Sequence, residues 1–126
     1  MSKKIIDVPR AVPLPYSTAV KAGDYIFVSG QLGHVDEKGT EINGIYAQTR
    51  QCMEKIKSIL GKVGAGMDDI VKVTVFLANA ADFSVMNDVY KTYFASEPPA
   101  RSTVVAGSPI PRMLVEIECI AYKPEK

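Results

Sequence analysis

Between Ile70 and Ala78 the chain reads Ile-Val-Lys-Val-Thr-Val-Phe-Leu-Ala, a run of β-branched and apolar residues too short for a typical helix. It predicts a strand buried inside a sheet, and the rest of the chain must supply its cover. Leu114 to Tyr122 reads as a second such strand with strict alternation. Val115, Ile117, Cys119 and Ala121 share one face, and Leu114, Glu116, Glu118, Ile120 and Tyr122 share the other. A further strand is expected at about Arg101 to Ala106, joined to the last by a turn containing Gly107, Pro109 and Pro111. Nearer the start, Ser17 to Ala22 and Tyr25 to Ser29 flank Gly23-Asp24 and predict a hairpin.

The intervening segments carry a different period. Ile45, Cys52, Met53, Ile56, Ile59, Leu60 and Val63 recur at spacings of three and four, which predicts one long amphipathic helix capped by Asn43 and ending near Gly64 or Gly66. Asp82 is placed to cap a second helix. Its apolar stripe is Phe83, Met86, Val89, Tyr90, Tyr93 and Phe94, and Glu97-Pro98-Pro99 stops it. Pro9, Pro13 and Pro15 hold the first segment extended as far as Tyr16. Residues 31–44, with Gly33, Gly39 and Gly44 among charged side chains, read as a loop with room to move.

The expected order is β-β-α-β-α-β-β in a single domain spanning residues 1–126, an α+β fold with one sheet and two helices. Two helices cover only one face of a sheet of five or six strands. The other face, carrying Val, Ile and Phe, is expected to be buried by another subunit.

Fifteen Lys and Arg against fourteen Asp and Glu leave a formal charge of +1, so no global field favours nucleic acid or an anionic membrane. Asp7, Pro9 and Arg10 interrupt the start of the chain before an apolar signal stretch develops, and no run approaches the length of a membrane span. A cytoplasmic protein is expected. Cys52 and Cys119 each sit in an apolar pattern, where a reduced thiol behaves as a small hydrophobe. With one histidine and no clustered cysteines, no metal site is expected. His34, in the glycine-containing loop, reads as a surface residue, because no Ser or Cys nucleophile with an oriented partner stands near it in the sequence.

Chemistry concentrates near the C-terminus. Glu116 and Glu118 share one partly apolar strand face, where a carboxylate needs a cation, donor hydrogen bonds or water. Arg101 follows the stiff Pro98-Pro99-Ala100 approach. Its planar fork suits either a small carboxylate ligand or an internal ion pair with Glu116 or Glu118.

Pro99-Ala100-Arg101-Ser102-Thr103-Val104, followed after a short turn by Val115-Glu116-Ile117-Glu118, closely resembles the C-terminal signature of the Rid/YjgF family of reactive-intermediate deaminases. Pro15-Tyr16, Val28-Ser29-Gly30-Gln31, Thr49-Arg50-Gln51, Asp69 to Phe76, and Asn87 with Tyr90 stand in family order, so the resemblance covers nearly the whole chain. It implies a chorismate-mutase-like fold in a homotrimer with active sites in the clefts between subunits. It implies hydrolysis of 2-imino or enamine acids, such as 2-aminoacrylate and 2-iminopropionate, to 2-keto acids and ammonia without a cofactor. By position, Arg101 resembles the family arginine that grips the substrate carboxylate. Glu116 resembles the acid that activates water, and the Thr103 backbone resembles the group that bonds the imine nitrogen. Tyr16, Ser29 and Asn87 resemble pocket-lining positions. Two other activities belong to the same resemblance, a non-catalytic keto-acid-binding regulator and a ribonuclease or translation inhibitor. Thr103 stands where many members have Cys, and Val105-Ala106-Gly107-Ser108-Pro109-Ile110-Pro111 replaces the usual acidic stretch. Both departures bear on the pocket rim.

Overall fold

The computed structural model describes residues 3–8 and 13–125, so Pro9 of the expected extended arm lies outside the described residues. In chain order the elements are β1 (Lys4–Ile6), β2 (Ala19–Ala22), β3 (Tyr25–Leu32), α1 (Ile45–Gly61), β4 (Ile70–Leu77), α2 (Phe83–Tyr90), β5 (Ala100–Val105) and β6 (Val115–Tyr122). The strands form one mixed sheet in the order β1-β2-β3-β6-β4-β5. Only β4 and β5 run parallel, and the helix between them in the chain supplies the crossover that a parallel pair requires. The last strand thus enters the middle of the sheet, antiparallel to β3 on one side and to β4 on the other.

Alternation sorts the side chains as expected. Val115, Ile117, Cys119 and Ala121 of β6 join Val73, Val75 and Leu77 of β4 in a buried core. Cys52, Met53, Ile56, Ile59 and Leu60 of α1 and Met86 and Tyr90 of α2 pack onto the same side. Both cysteines are free buried thiols, and burial pushes each up to about 12, which makes them poor nucleophiles. The opposite face carries no helix. Ile5, Tyr25, Phe27, Val104 and Tyr122 lie on it, each between 42% and 47% exposed, so beside Glu116 and Glu118 the second face carries apolar side chains left open among the described residues.

Several local expectations need correction. A short first strand, β1, pairs with β2; three residues are too few to show a period. Gly44, at φ 88°, is the N-cap of α1 in place of Asn43; Asp82 is the N-cap of α2 as expected, but its side chain makes no cap bond. The first helix does stop through Gly64, whose φ of 75° turns the chain back so that the Ala65 N–H reaches the Leu60 carbonyl at 3.0 Å. The second helix is shorter than its apolar stripe and continues as a 3-10 turn over Lys91–Tyr93. Residues 31–44 are more regular than a mobile loop. Gln31 and Leu32 complete β3, Val35 bridges Glu41, and the Asp36 carboxylate accepts the Lys38 and Thr40 N–H groups at 2.9 Å each.

Gln48 ties this hairpin-like segment to the strands. Buried on α1, its amide nitrogen donates to the Ile42 and Arg112 carbonyls at 3.1 Å, and its oxygen accepts the Leu114 N–H at 2.9 Å. Gly33 leaves room for this contact, since a Cβ there would strike the Gln48 backbone carbonyl. Gln48→Leu keeps much of the volume and strands the Leu114 N–H and two carbonyls. Urea denaturation is expected to show a loss of about 2 to 4 kcal/mol relative to the native chain.

Candidate active site

Register decides which residues can meet. Val73 pairs with Arg101 on one side and Cys119 on the other, and Val75 pairs with Thr103 and Ile117. Paired residues project to the same side of a sheet, so Arg101 and Thr103 face the helices. Phe76 pairs with Val104 and with Glu116, which puts Glu116 on the opposite, helix-free face. The two residues also stand two strands apart and three residues apart along the sheet, roughly 13 Å between Cα atoms for ordinary strand spacing. One chain therefore does not bring Arg101 and Glu116 into a single small-molecule site. The same geometry removes the internal ion pair, and none to Arg101 occurs among the described residues.

Arg101 lies instead against α2. Its guanidinium carbon sits 4.7 Å from the Tyr90 ring centroid and 5.8 Å from that of Phe83, and Nη1 approaches Met86 Sδ at 3.9 Å. Asn87, one helical turn after Phe83 and nearly one before Tyr90, borders the same helix face. Thr103 follows two residues along β5, with its hydroxyl buried and without a hydrogen-bond partner among the described residues. Arg101 and Thr103 on edge strand β5, where every second residue turns its N–H and C=O away from the sheet, make with Asn87 of α2 one candidate half-site.

The other half-site surrounds Glu116. An irregularity in the β3–β6 pairing between Val28 and Gln31 places Ser29 and Gly30 at a bulge. The Glu116 carboxylate lies over Gly30, where any Cβ would collide with it. Only glycine fits there without displacing the acid. Ser29 Oγ donates to the Ser17 carbonyl at 2.6 Å, which draws the segment carrying exposed Tyr16 beside the bulge. Burial raises the Glu116 carboxyl above its ordinary value, and the Glu118 carboxylate on the same strand face raises it further. That favours a group able to take and return a proton nearer neutrality.

His34 is a partly exposed residue of the surface segment 31–44. Its Nδ1 is shielded and without a partner among the described residues, and burial, with Lys55 and Arg112 nearby, lowers its pKa and favours the neutral ring. Among the described residues no three His, Cys, Asp or Glu side chains converge as a metal ion would require. None of their helices is long and apolar enough to cross a membrane. Sequence reasoning missed Gly30 as a site residue and treated Phe83, Met86 and Tyr90 only as core. Their spacing of three and four is the same whether a stripe packs on a sheet or on a guanidinium.

Comparison with known proteins gives this arrangement a lineage. Residues 8–123 match the family described as endoribonuclease L-PSP. A RutC family protein of Pyrococcus abyssi is 44% identical, over 98% of this chain and 99% of its own. A protein of Dermatophagoides farinae named 2-iminobutanoate/2-iminopropanoate deaminase is 40% identical, over 94% of each chain. Among solved structures, a member of the conserved Rid protein family from Yersinia pestis superposes with a TM-score of 0.88 at 37% identity, over 96% of this chain and 99% of that one. With family order, fold and near full-length coverage in agreement, the chain belongs to the Rid/YjgF/RutC family.

Proposed function

We propose that this protein hydrolyses 2-imino acids, and the enamines that tautomerise to them, to 2-keto acids and ammonia, at sites that two chains build together. The observation that carries this reading is Arg101, a half-buried cation held among aromatic rings without a carboxylate partner among the described residues. Such a cation favours an anionic ligand, and its planar fork matches a small carboxylate. The substrate's carbon–nitrogen double bond lies within a few ångströms of its carboxylate, so the group that activates water must stand close to Arg101. Within one chain Glu116 does not. A neighbouring copy that covers the helix-free face brings its own Glu116 half-site toward the Arg101 half-site, and closure of three copies uses the apolar surface left open by the fold.

In this arrangement Arg101 fixes the carboxylate and the Thr103 backbone carbonyl accepts the imine N–H. Glu116 takes a proton from water as the water oxygen bonds to the C=N carbon, and passes that proton to the nitrogen. It then takes the proton of the new hydroxyl and returns it to the amino nitrogen, which leaves as ammonia as the C–O bond becomes the keto group. Asn87, Ser29 and Tyr16 complete the walls. The relatives named imine deaminases support this chemistry at about 40% identity, and the raised carboxyl of Glu116 favours turnover over binding alone. The near-neutral charge gives the ribonuclease reading no electrostatic footing.

Imino acids generated in situ by an amino-acid oxidase provide the assay. Arg101→Lys keeps the charge and loses the fork, so keto-acid affinity and turnover should both fall roughly ten- to a hundredfold. Glu116→Gln should retain keto-acid binding and lose turnover by about a hundredfold or more. Wild-type turnover in Glu116→Gln would make Glu116 structural. The acid limb of kcat/KM should lie above the ordinary carboxylate range. Because the Glu118 charge raises the Glu116 pKa, Glu118→Gln should move that limb to lower pH, and an unmoved limb would assign it to another group.

A further inference from the structure

We infer that Tyr90 is a positioning residue for the reaction: its ring is the shelf that aims the Arg101 guanidinium at the substrate carboxylate. The inference rests on the imino-acid reading for its substrate and on the geometry of α2 and β5 for the rest. Tyr90 holds the nearest ring to the guanidinium, at 4.7 Å, and is itself 6% exposed. Phe94 packs against Tyr90 with ring centroids 5.0 Å apart and a 48° tilt, and both belong to the buried core, so the ring beside the guanidinium is itself held in place. Phe83 and Met86 approach the same guanidinium, at 5.8 Å and 3.9 Å.

A cation over a ring is attracted through the face of the ring, and this consumes none of the guanidinium's N–H donors. A carboxylate takes two of those donors in the plane of the guanidinium. An ion pair with Glu116 or Glu118 would have oriented Arg101 equally well but would have occupied the fork and neutralised it. The aromatic shelf orients the arginine and keeps the fork open. It also removes water from one side of the cation, which strengthens the pairing that remains.

The hydroxyl of Tyr90 takes no part. It is buried with no hydrogen-bond partner among the described residues, and burial pushes its pKa up to about 12, so it neither ionises nor transfers a proton near neutrality. A buried hydroxyl without a partner is a cost that phenylalanine would remove. Tyr90→Phe should therefore work as the native chain does and melt at the same or a higher temperature, whereas Tyr90→Leu keeps an apolar side chain and loses the ring face.

Two measurements on the full chain test this. Isothermal titration with 2-ketobutyrate and with the uncharged amide of pyruvate separates carboxylate recognition from general packing, and nitrogen-15 NMR of the Arg101 Nε–Hε group reports the ring-current shift of a stacked guanidinium. For Tyr90→Leu the keto-acid Kd should rise roughly three- to thirtyfold, with amide binding unchanged. KM for imino acid should rise more than kcat falls, and the Arg101 resonance should lose its ring shift. In Tyr90→Phe all of these should return to native values. Native keto-acid affinity in Tyr90→Leu, or equal losses for acid and amide, would overturn the inference. So would a native Arg101 shift in that variant. If the native chain shows the shifted Arg101 signal yet neither binds keto acid nor hydrolyses imino acid, the shelf stands and the functional reading falls.

Discussion

Strand β6 is hydrogen-bonded along both edges, to β3 and to β4, so its side chains have only the two faces of the sheet to occupy. One set, Val115, Ile117, Cys119 and Ala121, fills the core beneath both helices. The alternate set must then point away from the helices, and it includes Glu116 and Glu118. Moving the register by one residue would bury two carboxylates under α1 and α2 and expose four core residues, a cost far beyond what a domain of this size withstands. The position of Glu116 is thus a by-product of the strongest packing constraint in the molecule.

The division of the site follows. On the parallel side of the sheet the β4–β5 register turns Arg101 and Thr103 toward α2, while the antiparallel side turns Glu116 toward the bulge at Ser29 and Gly30. Each half-site is locally well supported: the guanidinium by aromatic side chains of the helix, the carboxylate by the one residue type that leaves it room. What the two halves lack is each other. The second face of the same sheet exposes apolar side chains, and in the proposed reading its burial by another copy is what brings the two halves together.

Much of the fold was legible because it rests on periods. The β-branched run at Ile70, the alternation from Leu114, the turn at Gly23 and the helical spacing from Ile45 and Phe83 each place an element within a few residues. The missed features have no period. β1 is three residues long, the start of α1 depends on the backbone of Gly44, and the order in residues 33–42 comes from the Val35–Glu41 bridge, the Asp36 carboxylate and the Gln48 amide, none of which has a period. The family signature led to Arg101, Thr103, Asn87, Ser29, Tyr16 and Glu116 and to sites between subunits, but not to the sheet face that each residue takes, because which way Arg101 faces depends on how β5 aligns with β4 across an intervening helix. Tyr90 was assigned to the core for the same reason: its spacing says which face it shares, not what lies opposite.

In the proposed arrangement Arg101 of one copy and Glu116 of another serve the same ligand, which mixed oligomers can distinguish from a site within one chain. Arg101→Ala and Glu116→Gln chains, each inactive alone, are co-refolded in equal amounts and assayed for imino-acid hydrolysis. If the halves come from neighbouring copies in a closed trimer, one interface in four pairs a native Arg101 with a native Glu116, and about a quarter of native activity should return. A mixture shown by mass spectrometry to contain both chains in one oligomer, yet no more active than its parts, would contradict the account.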